Sequence, residues 1–97
     1  MKPKFEIKIH TMDKKNAVLN ALFDTGSFYS IIREDCLPKK SHFYPLSEEF
    51  GTAAKGGKLH IIGTTVLVIE HGGRKIRTNV LVSPSLKQEL IIGAEAM

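Results

Sequence analysis

Ninety-seven residues are enough for one domain and too few for two. Apolar residues make up 42% and charged residues 25%, an ordinary globular balance that excludes a disordered tail, and no apolar run is long enough for a transmembrane helix. Fourteen basic residues against ten acidic ones give a net charge of +4, but the signs are interleaved and no basic stretch is rich in aromatics, so the excess reads as solubility and not as nucleic-acid binding.

The first signal along the chain has period two. Phe5, Ile7 and Ile9 alternate with Lys4, Glu6, Lys8 and His10, which predicts a strand with one buried and one wet face. Residues 12–16 form a polar connection, and residues 17–23, apolar on both faces apart from Asn20, predict a second and more central strand. Asp24-Thr25-Gly26-Ser27 then interrupts with turn-forming residues. Residues 30–33 resume as a short strand, residues 34–37 predict a helical turn ending at Pro38, and residues 39–45 read as a loop.

Short strands are expected near residues 46–50 and, more strongly, at 58–62, around a stretch rich in small residues whose Gly56-Gly57 permits a tight hairpin tip. Residues 64–70 and 75–82 flank His71-Gly72-Gly73-Arg74, the plainest hairpin signal in the chain. Residues 83–85 break the pattern. Leu90-Ile91-Ile92 predicts a last buried strand, and residues 93–97 the start of a helix. The fold class is mostly β, built from hairpins, with no helix-period segment beyond a turn or two and no internal repeat.

Asp24 is the residue that calls for a chemical explanation. A carboxylate between two apolar segments is costly unless something uses it, because burial disfavours its charged form. Thr25 and Ser27 supply hydroxyls beside it, and Gly26 lets backbone approach closely. An ordinary turn also favours Asp and Gly, so the tripeptide alone is weak.

The wider pattern is stronger. Ala21-Leu22-Phe23-Asp24-Thr25-Gly26-Ser27, followed by Tyr29-Ser30-Ile31-Ile32, resembles the catalytic loop of the retropepsin-like aspartic proteases. Leu90-Ile91-Ile92-Gly93-Ala94 resembles that family's late apolar strand ending in glycine, and residues 53–58 look like its flap. The likeness holds in the same order over nearly the whole chain.

The resemblance implies a closed β-barrel with a hairpin flap and at most one short helix, a single domain over residues 1–97. It implies an aspartic endopeptidase. Two carboxyls share one proton and activate a water between them, a pattern for which aspartic proteases are the standard illustration. Only one Asp-Thr-Gly is present, and Asp13 and Asp35 lack the motif, so the second carboxyl must come from a second copy. The catalytic set implied is Asp24, Thr25 and Gly26. Thr25 would brace the paired loops, Gly26 would accept the substrate backbone and Ser27 would bond near the carboxyl. Ser27, Ala54, Lys55, Gly56 and Gly57 would hold an extended polypeptide under the flap, with Ile31 and Ile32 as apolar pocket walls. The partners implied are a second copy and a polypeptide substrate, with no nucleic acid, no membrane, no metal and no cofactor.

Other chemistry fits less well. His10, His42, His60 and His71 show no metal-ligand spacing. Residues 51–58 mimic a phosphate-binding loop, but the lysine is one place late and Leu59 stands near where a hydroxyl is needed. Cys36, the single cysteine, allows no internal disulfide and reads as an inert packed thiol. A reducing compartment fits, and the start of the chain lacks a secretion signal, so a cytoplasmic protein or a soluble domain of a longer one is expected. The family's chain continues past the late glycine into a helix and a final strand, whereas this sequence stops at Met97, so either an excised piece of a longer protein, truncated at the C-terminus, or a different or weaker dimerisation is expected. That departure motivates an alternative reading, a non-catalytic dimerisation or peptide-binding module.

Overall fold

The computed structural model describes residues 4–12, 14–24, 26–38, 43–45 and 60–96. Among these residues seven strands form, β1 (Lys4–Thr11), β2 (Asn16–Phe23), β3 (Ser30–Arg33), β4 (Tyr44–Pro45), β5 (Gly63–His71), β6 (Arg74–Ser83) and β7 (Leu90–Ile92). Single 3-10 turns occupy Glu34–Cys36 and Ala94–Ala96.

The strands pair in the order β1-β2-β7-β3-β6-β5-β4, and β1 also pairs with β5. That last pairing closes six of the strands into a barrel, with β4 added outside it against β5. Closure removes exposed sheet edges. Alternation decides which side chains enter. Ile7 and Ile9 of β1, Leu67 and Ile69 of β5, and Val80 and Val82 of β6 fill one core with Leu19, Ala21, Ile32, Leu90 and Ile92. Phe5 does not follow them inward. It stays 38% exposed and stacks edge-on against Phe23, with ring centres 5.2 Å apart.

The expected hairpin forms with Gly72 and Gly73 at its tip, both at positive φ (59° and 79°), as a two-residue hairpin turn requires. Two expectations need correction. The stretch 58–62 is not strand in its described part, because Ile61 and Ile62 precede β5, which begins at Gly63. Within the stretch read as loop, Tyr44 and Pro45 pair with Thr64 and Gly63. Gly63 permits this. A Cβ there would meet the Tyr44 carbonyl oxygen at 2.6 Å and the Phe43 ring at closer range still. The candidate strand at 46–50 lies outside the described residues, and so do residues 53–58, read from the sequence as a flap.

Candidate active site

The barrel order places β7 between β2 and β3, parallel to the first and antiparallel to the second. The loop joining β2 to β3 therefore arches over the end of β7, and Asp24 lies on its β2 side. The Asp24 amide donates to the Ile92 carbonyl (3.0 Å), extending the parallel ladder by one step. Beyond it the chain turns. The Ser27 amide donates back to the Asp24 carbonyl (3.1 Å), and the Gly26 amide donates to the Asp24 carboxylate Oδ1 (2.9 Å).

Asp24 is thus half-exposed, with its carboxylate fixed by a backbone donor from its own loop. Gly26 is needed close by. A Cβ on it would lie 3.2 Å from Asp24 Oδ1, tighter than ordinary contact. The Ser27 hydroxyl donates to the Tyr29 carbonyl (2.8 Å) and not to the carboxylate, so its side chain shapes the loop.

The other stem of the loop is fastened to the chain after β7. The Ala94 amide donates to the Ser27 carbonyl (2.8 Å), and the Glu95 amide to the Phe28 carbonyl (3.1 Å). Ser30, wholly buried, accepts the Gly93 amide on its Oγ (3.1 Å), and its own amide donates to Glu95 Oε1 (3.3 Å). Gly93 is wedged against this stem. Any Cβ there would be 2.5 Å from the Tyr29 carbonyl carbon and oxygen.

Asp24, Gly26 and Ser27 therefore come together on one loop. Thr25, Ala54, Lys55, Gly56 and Gly57 lie outside the described residues. The side chains of Ile31 and Ile32 are both buried (1% and 0% exposed), in two different apolar clusters of the chain. The large apolar groups that the loop leaves exposed are Phe28 (63%) and Tyr29 (46%), which meet edge-to-face at 5.0 Å.

Sequence reasoning passed over Ser30 and Glu95. Ser30 showed only as a polar residue opening an apolar strand, and Glu95 showed no signal at all. A cavity of about 340 Å³ lies beside the loop, lined by Phe23, Ile69, His71, Arg74, Ile76, Ile92 and Ala96. None of these described lining residues carries a carboxylate side chain. Among the described residues no His, Cys, Asp and Glu cluster fits a metal ion, and no helix is long and apolar enough to cross a membrane.

Comparison with known proteins bears on this geometry. The family described as retroviral aspartyl protease matches residues 1–97, the whole sequence. The chain belongs to that family. Among solved structures it is similar to the EIAV protease complexed with the inhibitor HBY-793, at 25% sequence identity and a TM-score of 0.69. That match covers 96% of this chain and 82% of the other. No curated protein matches. Membership accounts for the closed barrel, the loop over β7 and the late glycine together, and it makes the chain an aspartic protease by family and fold.

Proposed function

We propose that the chain is an aspartic endopeptidase that works as a symmetric homodimer, each copy supplying one Asp24. The observation that carries this reading is the seat of Asp24. It is a half-exposed residue at an arch over the barrel wall, its carboxylate accepting the Gly26 amide and its own amide donating to the Ile92 carbonyl, in a chain of the retroviral aspartyl protease family.

A single carboxyl cannot act as general base and general acid in the same step. Two carboxyls brought face to face on a two-fold axis cannot both ionise cheaply, so they share a proton. The ionised Asp24 takes a proton from a water held between them. The water oxygen attacks the peptide carbonyl carbon, and the protonated Asp24 donates to the forming oxyanion. The resulting gem-diol collapses as the amine takes a proton and leaves. The Gly26 amide on Oδ1 fixes the orientation of the Asp24 side chain.

Thr25 braces the two loops across the axis in this reading, and Ala54, Lys55, Gly56 and Gly57 cover an extended polypeptide bound by main-chain hydrogen bonds. One domain, residues 1–97, supplies one half of the site. The test is proteolysis of an unfolded protein at mildly acid pH, with sedimentation on the same sample. Cleavage that disappears in Asp24→Asn while the dimer and fold persist is the expected result. A demonstrated dimer of the unaltered chain that cleaves nothing would sink the proposal and favour a non-catalytic module.

A further inference from the structure

We propose that Ser30 and Glu95 are positioning residues for Asp24, a side-chain clasp that sets where the carboxyl stands and so how it shares a proton with its counterpart. The inference rests on the aspartic-protease reading and adds to it two residues outside the Asp-Thr-Gly motif.

Among the described residues, five hydrogen bonds tie the loop and the start of β3 to the chain at 92–95. Three of them are backbone to backbone, from the Asp24, Ala94 and Glu95 amides to the Ile92, Ser27 and Phe28 carbonyls. Side-chain chemistry cannot tune those directly. The other two depend on side chains and face each other. Ser30 Oγ accepts the Gly93 amide, and Glu95 Oε1 accepts the Ser30 amide.

Each has a physical reason to be where it is. The chain leaves the sheet ladder after Ile92, so the buried Gly93 amide needs an acceptor, which the Ser30 hydroxyl supplies. A hydroxyl at a position with no exposure is costly unless bonded, and this one is. Glu95 sits exposed on the 3-10 turn and gains nothing from core packing there. Its carboxylate reaches 65 positions back along the sequence to the first residue of β3.

The clasp acts on the catalytic group through the loop. Asp24 hangs between one stem held by Ile92 and another held by Ser30. If the second stem loosens, the carboxyl moves relative to its two-fold mate. A larger separation weakens the repulsion that splits the two apparent pKa values, so the acid limb of the pH profile rises and the alkaline limb falls. A loosened clasp therefore narrows the bell. It also lowers kcat more than it raises KM, because the extended substrate is held elsewhere.

The experiment compares the unaltered chain with Glu95→Ala, Glu95→Gln and Ser30→Ala, at matched dimer content. Glu95→Ala is expected to lower kcat by about tenfold to a hundredfold and to narrow the bell. Glu95→Gln keeps an acceptor oxygen and should restore both. Ser30→Ala should behave as Glu95→Ala does wherever it folds. Equal bell widths and equal kcat in Glu95→Ala and the unaltered chain would overturn the clasp. A second readout needs no turnover. The Gly26 and Ser27 amide signals in the NMR spectrum report the Asp24 turn, and they should shift in Glu95→Ala and return in Glu95→Gln. Signals that do not move reject the clasp. Signals that respond in a chain without proteolysis support the clasp and reject the protease reading.

Discussion

The α-carbon of Gly93 faces the backbone of Tyr29 so closely that a methyl group there would lie 2.5 Å from both the carbonyl carbon and the oxygen. Neither obstacle is a flexible side-chain end, so the backbone itself must give. Gly93→Ala is therefore expected to lift the loop that carries Asp24. It should cost about 1–3 kcal/mol or more of stability by overpacking, and most of the activity. Gly72→Ala is the comparison. No atom lies within 4 Å of a Cβ there, and only the positive φ (59°) opposes it, a cost of about 1 kcal/mol that displaces no backbone of the loop. Urea denaturation and turnover on both variants check this. Equal losses of activity would mean that the close approach to Tyr29 is irrelevant to the site.

A shared site has a mass-action signature. Below the dimer dissociation constant, activity per chain should rise with protein concentration. Mixing the unaltered chain with an equal amount of Asp24→Asn, and letting the subunits exchange, should lower total activity to about half, because mixed dimers hold a single native carboxyl. Activity that is unchanged on mixing would show that each chain works alone.

Local sequence chemistry carried far in some places and stopped short in others. The hairpin tip at Gly72-Gly73 and the Asp24 turn were legible because their residue types answer to backbone conformation at the same position. The alternation in β1 was legible too, but it also predicted Phe5 inside, and Phe5 instead packs against Phe23 at the rim. Periodicity assigns a face and is silent on whether the barrel reaches that far. Ile31 and Ile32 read in the sequence as apolar residues of a strand with no known neighbours. Flanked by β6 and β7, both side chains are enclosed. That insertion of β7 between β2 and β3 joins segments some sixty residues apart, and no local pattern encodes it. The hidden roles of Ser30 and Glu95 follow from the same non-local step.

Leu90 is the point at which that topology can be tested energetically. It is fully buried on β7, opposite Ala21 on one side and Ile32 on the other. Leu90→Ala should cost about 2–5 kcal/mol through lost burial and an incompletely collapsed cavity. Val18, 61% exposed on β2, offers the contrast, since Val18→Ala should stay within about 0.5 kcal/mol. Denaturation midpoints at constant m-value measure both. A Leu90→Ala loss no larger than that of Val18→Ala would contradict the burial of β7.

The Cys36 thiol is pushed up from its usual range first by burial and then by donating to Asp35 Oδ1 (3.4 Å). Asp35 is held below the ordinary carboxylate range, chiefly by the Arg33 guanidinium, whose Nε lies 2.6 Å from the same Oδ1. The carboxylate is therefore ionised throughout the neutral range and remains an acceptor for the thiol. A raised thiol holds less thiolate at any pH below its titration, and thiolate is the reactive form. Alkylation of the folded chain at mildly alkaline pH should thus be slower than that of the urea-unfolded chain. The neighbours act with opposite signs. Asp35→Asn removes a negative group that raises the thiol, so alkylation should quicken, yet stay below the unfolded rate because burial remains. Arg33→Ala removes a charge that lowers it, so alkylation should slow further. Rates that order the other way, with Asp35→Asn slower than the unaltered chain, would show that the Asp35 contact is not what restrains the thiol.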